Sequence, residues 1–450
     1  MSTKMTRREF LATSAAIGAG VGLGLTGLTG CAPQGGASKQ VTLTLWVLPW
    51  SDNFGSVTDE LLKKTFSKDY PNITVKVEEI PWTGCEEKYK AAFAGNKAPD
   101  VAASTVNRWP PLADMCALLP VDKHFTDDFK AKFVNADLLE MGKYRGHYYA
   151  VPMLMENRSL FYNKDIFREA GVAEPPKTLD EFLAICEKVK AVGKYGFAFP
   201  GIQRSFARFT FWLNLCGGRV FSEDGTQCVI NNAAGVEALS ILVDMLKKGY
   251  MPDGCVGMTE EEVATLFTDG KTAMQHDGEN QLIAFDKIEG LHYDVAKTFT
   301  YKTAITYGGP EHYVIFKTTK YPEESWKLME YMATNPQFSK ERCEKFFYFP
   351  VARGVNADFG DPRTKVFEAQ TETGVLDVEG HPKMDVATPI LVAAIQEALM
   401  GKATPQPPLT RRRLMSWLLS ALGSRRIASR GPSILGRQHG QGAQRPAHKR

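Results

Sequence analysis

Beginning at Val41, the chain alternates apolar and polar residues, Val41-Thr42-Leu43-Thr44-Leu45-Trp46-Val47, with β-branched side chains prominent. That period of two predicts a strand. Leu61 to Phe66 predicts a helix, Ile73 to Ile80 a second strand, and Glu86 to Phe93 a helix closed by Gly95. Asp100-Val101-Ala102-Ala103 reads as a short buried strand ending at Ser104-Thr105. Downstream, Pro175-Pro176-Lys177-Thr178 introduces a helix in which Thr178 and Glu181 have the spacing of a capping box. Phe182, Leu183, Cys186 and Val189 supply its apolar face. Asn231 to Lys248 predicts another helix, with Val236, Leu239, Val243 and Leu246 on one side and Gly249 as its stop. Pro322 to Met332 predicts a further one. Strands alternating with helices point to a parallel α/β architecture.

The two ends break this pattern. Thr6-Arg7-Arg8-Glu9-Phe10-Leu11 is a twin-arginine pattern, followed by a weakly apolar run from Leu11 to Leu28. Leu28-Thr29-Gly30-Cys31 reads as a lipobox, so residues 1–30 are expected to be an export signal and Cys31 the lipidated residue. An uncleaved membrane span is the alternative, because about twenty apolar residues cross a bilayer. Six glycines between Gly18 and Gly30 make the run a poor spanning helix. The same glycines suggest a dinucleotide loop, but the strand, helix and acidic residue such a loop needs are missing from its sequence context. Residues 31–40 read as lipidated Cys and tether.

Residues 407–450 form a basic tail in which Leu414, Trp417, Leu418 and Leu422 would share a helical face. Such a segment suits a membrane surface. An altered reading frame is the favoured alternative, because nothing before Gln406 requires the tail.

Composition narrows the class. Apolar residues make up 44% and aromatics 11%, as in a globular chain with a sizeable core. Residues 1–30 hold three basic residues and one acidic, and the tail holds ten basic and no acidic residues. Removing both from the chain's net +3 leaves −9 on residues 31–406, which argues against a nucleic-acid partner. Apart from Cys31, seven scattered cysteines form neither a disulfide framework nor a zinc motif. Most read as buried thiols; Cys216 and Cys228 flank turn-like Gly217-Gly218 and Asp224-Gly225, and a pair between them in an oxidising compartment is an alternative that spacing does not establish. No metal or cofactor is expected. The eight histidines show no metal-binding pair at helical spacing, and no Gly-x-Ser-x-Gly turn is present.

Gly142-Lys143-Tyr144-Arg145-Gly146-His147-Tyr148-Tyr149-Ala150-Val151-Pro152 leads into Leu160-Phe161-Tyr162-Asn163-Lys164-Asp165-Ile166-Phe167, then Ala170-Gly171-Val172 and Pro175 to Phe182. Gly95 to Val101, Phe267 to Met274 and Gly308-Gly309 occur in matching order. Together these resemble the extracellular solute-binding proteins of ABC importers, in the sugar-binding group similar to maltose-binding protein. The resemblance covers roughly residues 41–406 and implies a two-lobed α/β fold of the type II periplasmic-binding kind. Its lobes would be residues 41–151 with 309–348, and 152–308 with 349–406, joined by crossing hinge segments. Tyr149–Leu154 resembles the first crossing, Ala304–Gly309 the second, and Phe349-Pro350-Val351 lies near a third. It implies a monomeric receptor, anchored outside the cell membrane through Cys31, that hands a carbohydrate to permease subunits. After Gln406 the chain departs from the family pattern, which continues into an Ala-rich helix.

A sugar offers hydroxyls at its edge and a C–H face, so its receptor needs aromatic plates beside carboxylates, amides and Arg. Ligands of open α/β lobes sit at the carboxyl ends of strands. By that rule Trp50 and Asp52 follow the first strand, and Ser104 and Thr105 the third. The resemblance adds Glu156 past the first hinge, Trp212 as a stacking plate, Asp277 and Glu279 after the Gly270–Met274 element, Tyr307 and Gly309 at the second hinge, and Arg353 after the third. Trp46 reads as core, and Trp82 and Trp109 as cover for lobe surfaces. Two other readings remain open at this point: the same fold binding a polyamine, glycerophosphodiester or oligopeptide, and an exported glycoside hydrolase using two carboxylates.

Replacing Arg7 and Arg8 together with Lys should block export, read as loss of the protein from the membrane-associated extracytoplasmic fraction. Unchanged export would assign the signal to the general secretory route.

Overall fold

The computed structural model describes residues 39–402 apart from 136, 203–204, 223–226, 371–373, 376–380 and 383. Arg7, Arg8, Cys31 and the basic tail lie outside the described residues. Strands β1 (Val41–Val47), β2 (Ile73–Glu79) and β3 (Val101–Ser104) pair in parallel with β1 in the middle. Parallel neighbours need crossovers, and the helices Phe54–Lys64 and Cys85–Ala94 provide them. The first of these starts well before the expected Leu61, because Phe54, Thr58, Leu61 and Leu62 are buried together on one face. Gly95 closes the second as its spacing implied, donating its N–H to the Ala91 carbonyl.

A hairpin of β4 (Lys143–Tyr144) and β5 (His147–Tyr148) turns through Arg145 and Gly146, both at positive φ, as a two-residue primed turn requires. The chain then enters β6 (Ala150–Asn163), fourteen residues long. Its first half lies antiparallel along β9 (Thr306–Ile315), from Ala150 opposite Val314 to Asn157 opposite Gly308. Its second half pairs with β7 (Met274–Gly278) and with β8 (Tyr293–Ala296). β9 continues onto β3, so the sheet runs β2-β1-β3-β9-β6-β7, with β8 on β6 and β10 (Gly374–Val375) on β9.

Two large apolar cores lie on either side of this shared pair. One gathers buried residues of 41–154 and 313–351, the other those of 160–307 and 384–399. A smaller group around Phe161, Phe267, Phe285 and Tyr293 adjoins the second half of β6. β6 leaves the first core at Leu154 and enters the second at Leu160, and β9 makes the reverse passage between Tyr307 and Tyr313. The intervening residues, Met155 to Ser159 and Gly308 to His312, are mostly polar or glycine. A third segment joins them through a two-way backbone exchange between Met155 and Phe349, at 2.8 and 3.0 Å. The expected two lobes and crossing segments are therefore what the chain builds.

The helix caps follow the sequence closely. Thr178 caps Leu179–Ala191 by accepting the Glu181 N–H, but the Glu181 carboxylate returns to the N–H of Lys177, one residue earlier than a full capping box. Asn232 caps Ala233–Lys247, and Gly249 ends it at φ 69°. Cys216 is a free, buried thiol, so no pair with Cys228 forms. Burial pushes its pKa up to about 12. Among the described residues no helix is long and apolar enough to cross a membrane.

Gly142 accepts the N–H groups of Tyr149 and Ala150 where the hairpin feeds β6. A Cβ there would stand 2.0 Å from the Ala150 carbonyl oxygen. Gly142→Ala should lower stability by about 1–3 kcal/mol in thermal or urea denaturation. Gly257→Ala, where a Cβ meets nothing within 4 Å, should change it little; equal effects would dissociate the loss from the clash.

Candidate functional site

Where β6 and β9 pass between the cores, the polar residues converge. Glu156 takes a 2.7 Å hydrogen bond from Arg158, on the same strand two residues on. The other Arg158 terminal nitrogen lies 3.7 Å from both Glu260 and Asp277. Arg208, from the helix Ser205–Leu215, pairs with Glu260 and stands 3.5 Å from Asp277. Asp277 in turn accepts the Gln275 side-chain amide at 2.6 Å and the Gly278 N–H at 2.8 Å. Three carboxylates and two guanidiniums thus share one half-dry network, in which every charge faces an opposite one. Burial, and then Arg158, lower the pKa of the neighbouring His276 to about 3, so this ring is neutral.

Glu279 sits apart from the guanidiniums and is fully buried. One carboxyl oxygen accepts the Asn157 N–H at 2.9 Å. Burial, with the nearby Glu156 adding to it, holds this carboxyl well above the ordinary carboxylate range, so the protonated form is favoured. The next residue, Asn280, donates its side-chain amide to the Trp50 carbonyl at 3.0 Å, joining the second lobe to the first. The Tyr348 hydroxyl donates to the same carbonyl at 2.7 Å.

The expected residues divide into several groups. Glu156, Asp277, Glu279 and Gly309 do come together at the crossing, Gly309 lying opposite Glu156 in the ladder. Tyr307 is buried beside them, its hydroxyl 2.6 Å from Thr210 Oγ1 and donating to the Ala207 carbonyl. Trp50 is buried edge-on against Trp82, centroids 5.2 Å apart, and reaches the crossing only through its carbonyl. Trp212 offers no face to a solute: Phe182, Phe197, Phe211 and Phe299 surround it at centroid distances of 5.4–6.0 Å. Its place is core because a large ring gains most from full burial. Asp52 is exposed. Arg353 stands apart as well, its guanidinium donating to the Ala131 and Phe133 carbonyls of the first lobe. Ser104 is fully buried at the end of β3.

A cavity of about 310 Å³ opens between the lobes and is lined by neither Trp50 nor Trp212. That volume is at the lower end of small-molecule sites, roughly 300–1,000 Å³. From the first lobe come Glu86, Glu87, Lys90, Thr105, Asn107 and Arg108. Phe206, Pro389 and Val392 face them from the second. Thr105 lines this cavity as the strand-end rule expects, whereas Asn107 and Arg108, further along the same loop after β3, lie beyond that rule's reach. Arg108 donates to Glu86 and to Thr105 and lies 5.0 Å over the Trp82 ring. Burial opposes ionisation of Glu86, yet Arg108 outweighs it and holds the carboxyl below its ordinary value. A second cavity of about 20 Å³, by Arg208, Trp212, Glu260 and Asp277, has room for about one water. Among the described residues no group of three or more His, Cys, Asp or Glu is placed to hold a metal ion.

Comparison with known proteins supports the same reading of the fold. A family model for bacterial extracellular solute-binding proteins matches residues 49–337. The chain is 27% identical over 335 residues to a putative binding protein of Brucella abortus, spanning 72% of this chain and 77% of the relative. It is 25% identical over 395 residues to the galactooligosaccharide-binding protein of Bacillus subtilis, spanning 85% and 91%. Among solved structures it superposes with a TM-score of 0.74 on an ABC substrate-binding protein of Listeria monocytogenes in complex with cycloalternan, at 22% identity, covering 86% of this chain and all of that one. It gives the same score against a solute-binding protein of Thermotoga lettingae bound with α-D-tagatose, at 23% identity and the same coverage.

Folding raises the Glu279 pKa, so the native chain keeps a proton that the unfolded chain releases above about pH 4.3. This contribution to stability is fully present below that value and is lost as pH rises towards the folded pKa. Glu279→Gln keeps an acceptor for Asn157 and cannot ionise. Urea denaturation from pH 4 to 8 should therefore show wild type losing stability relative to E279Q as pH rises; parallel curves would refute a raised pKa.

Proposed function

Because the chain belongs to the bacterial extracellular solute-binding protein family, we propose that it is the receptor of an ABC importer for a sugar or short oligosaccharide. The cavity between the lobes carries this reading. Its first-lobe wall supplies a carboxylate, an amide, a hydroxyl and a guanidinium in Glu86, Asn107, Thr105 and Arg108. Its second-lobe wall supplies the apolar surfaces of Phe206, Pro389 and Val392. A pyranose is itself two-sided, with hydroxyls around the edge and C–H groups on the face. Hydrogen-bonding groups set beside apolar surface match that chemistry. The galactooligosaccharide-binding relative supports the same class of solute.

In this reading capture changes no bond. A solute touching both walls favours the closed arrangement by its contacts with the second wall, and the equilibrium shifts by that differential affinity. Closure moves the two cores about β6, β9 and the Met155–Phe349 exchange, while the ion network keeps the crossing rigid. The polar residues of the crossing that the resemblance singled out, Glu156, Asp277, Glu279, Tyr307 and Gly309, serve here as the frame of the hinge. Cys31 would tether the receptor beside its permease, to which the closed form delivers the solute.

Excess solute should raise the denaturation midpoint, since binding at a hundred times Kd adds about 2.7 kcal/mol to stability. Thermal shift across mono- and oligosaccharides, polyols, polyamines and glycerophosphodiesters is the test. A response confined to carbohydrates is expected, and a response only to polyamines or phosphodiesters would replace the sugar assignment. For the responding sugar, Asn107→Ala and Arg108→Ala should weaken Kd by roughly 10-fold or more in calorimetry, the scale of a lost polar contact of about 1.5–3 kcal/mol.

A further inference from the structure

Four buried polar atoms without hydrogen-bond partners fall in one place: Ser104 Oγ, Trp109 Nε1, and both ring nitrogens of His312. Ser104 and His312 are fully buried and Trp109 is 2% exposed. Ser104 and His312 are direct partners across the antiparallel β3–β9 ladder, so their side chains share one face of the sheet. The Trp109 ring lies against the same histidine, centroids 6.2 Å apart and tilted by 56°. Burial holds His312 neutral, with a pKa of about 3, so it carries one donor and one acceptor.

Their place in the chain gives the cluster a role. Ser104 immediately precedes the loop Thr105–Arg108, and Trp109 immediately follows it. That loop forms the polar wall of the cavity, and Glu311, beside His312, lines the same cavity. Inside the loop the groups bond one another: Arg108 N–H to the Thr105 carbonyl at 3.0 Å, and Thr105 Oγ1 to Asn107 at 2.6 Å. The two ends of the loop therefore stand over one buried set of two donors-or-acceptors and one pure donor. A single oxygen that both donates and accepts can serve the Trp109 N–H, the Ser104 hydroxyl and one of the two diverging His312 nitrogens. Left unsatisfied, buried polar atoms are costly, which is why native proteins pair them.

We propose that Ser104, Trp109 and His312 form a neutral hydrogen-bonding locus behind the cleft wall, which holds one hydroxyl-type oxygen and thereby positions the Thr105–Arg108 loop for the solute. The oxygen belongs either to an ordered water or to a solute hydroxyl reaching through the wall. His312 is accordingly a positioning residue, and its effect on affinity rests on the receptor function proposed above. The locus itself does not depend on that reading.

The test has an arm that needs no solute. A high-resolution crystal structure of the unliganded full chain should show an oxygen within hydrogen-bond distance of a His312 nitrogen and of Ser104 or Trp109. Imidazole ¹⁵N shifts, assigned with His312→Gln, should report a hydrogen-bonded neutral ring. A dry locus and a free ring in these two measurements would overturn the proposal. A crystal soaked in maltotriose then separates the sources: an unmoved oxygen is water, and a displaced one is replaced by the sugar's hydroxyl. If no carbohydrate binds, the sugar reading fails while an occupied locus still stands. For a sugar that does bind, His312→Phe should weaken Kd about 10-fold, and His312→Gln, which keeps a donor and an acceptor, should restore most of it. Equal weakening by both variants would remove His312 from any positioning role.

Discussion

Everything in this molecule depends on how two strands cross between two hydrophobic cores without leaving their polar groups stranded. β6 and β9 must carry backbone amides and carbonyls through a region that neither core covers fully. The ladder between them satisfies most of these groups, from Ala150 opposite Val314 to Asn157 opposite Gly308. At its end the Glu279 carboxyl takes up the Asn157 N–H. Gly308 is small for a reason: a Cβ there would stand 2.1 Å from the Asn157 side-chain oxygen. The apolar–polar–apolar order along β6 is thus the imprint of a strand shared by two lobes.

The ion network at the crossing is less a source of net stability than a device for definite geometry. Arg158 and Arg208 are nearly buried, and burying charge costs several kcal/mol per ion unless partners repay it. Glu156, Glu260 and Asp277 supply those partners, so removing one would leave a buried charge exposed to the full penalty. Glu279 solves its own desolvation differently, by favouring the neutral form. The cavity lies to one side of this frame, where polar residues of the first lobe, with Val106, Pro111 and Leu112 among them, face Phe206, Pro389 and Val392 of the second.

Much of the fold was legible because its signals are local. The alternation at Val41–Val47, the cap at Thr178, and the stops at Gly95 and Gly249 each act within a few residues, and each appears where the pattern put it. The family was legible because several modest motifs occur in the right order. The site was legible only in part. Glu156, Asp277, Glu279 and Gly309 meet at the crossing because β6 pairs there with β9, Glu156 opposite Gly309, and with β7, Ser159 opposite Asp277. Trp212 reads as a stacking plate one-dimensionally, yet Phe182, Phe197 and Phe299 close around it together with its neighbour Phe211. Arg353 reads as a ligand contact, yet the carbonyls of 131 and 133 take its guanidinium.

Sequence by itself determined the first three strands, several helices, the two-lobed class and the solute-binding family, since periodicity, capping and motif order are properties of neighbours along a chain; the antiparallel pairing of β6 with β7, β8 and β9 was not among them. Tertiary structure alone decided which polar residues face a cavity and which lock a hinge. Asn107 and Arg108 look no more functional than other loop residues until the second lobe brings Phe206 and Pro389 opposite them. Ser104, Trp109 and His312 look like three unrelated positions until the β3–β9 register sets two of them side by side and the third against them. Burial and opposition across a cleft arise from contacts hundreds of residues apart, and no local pattern encodes them.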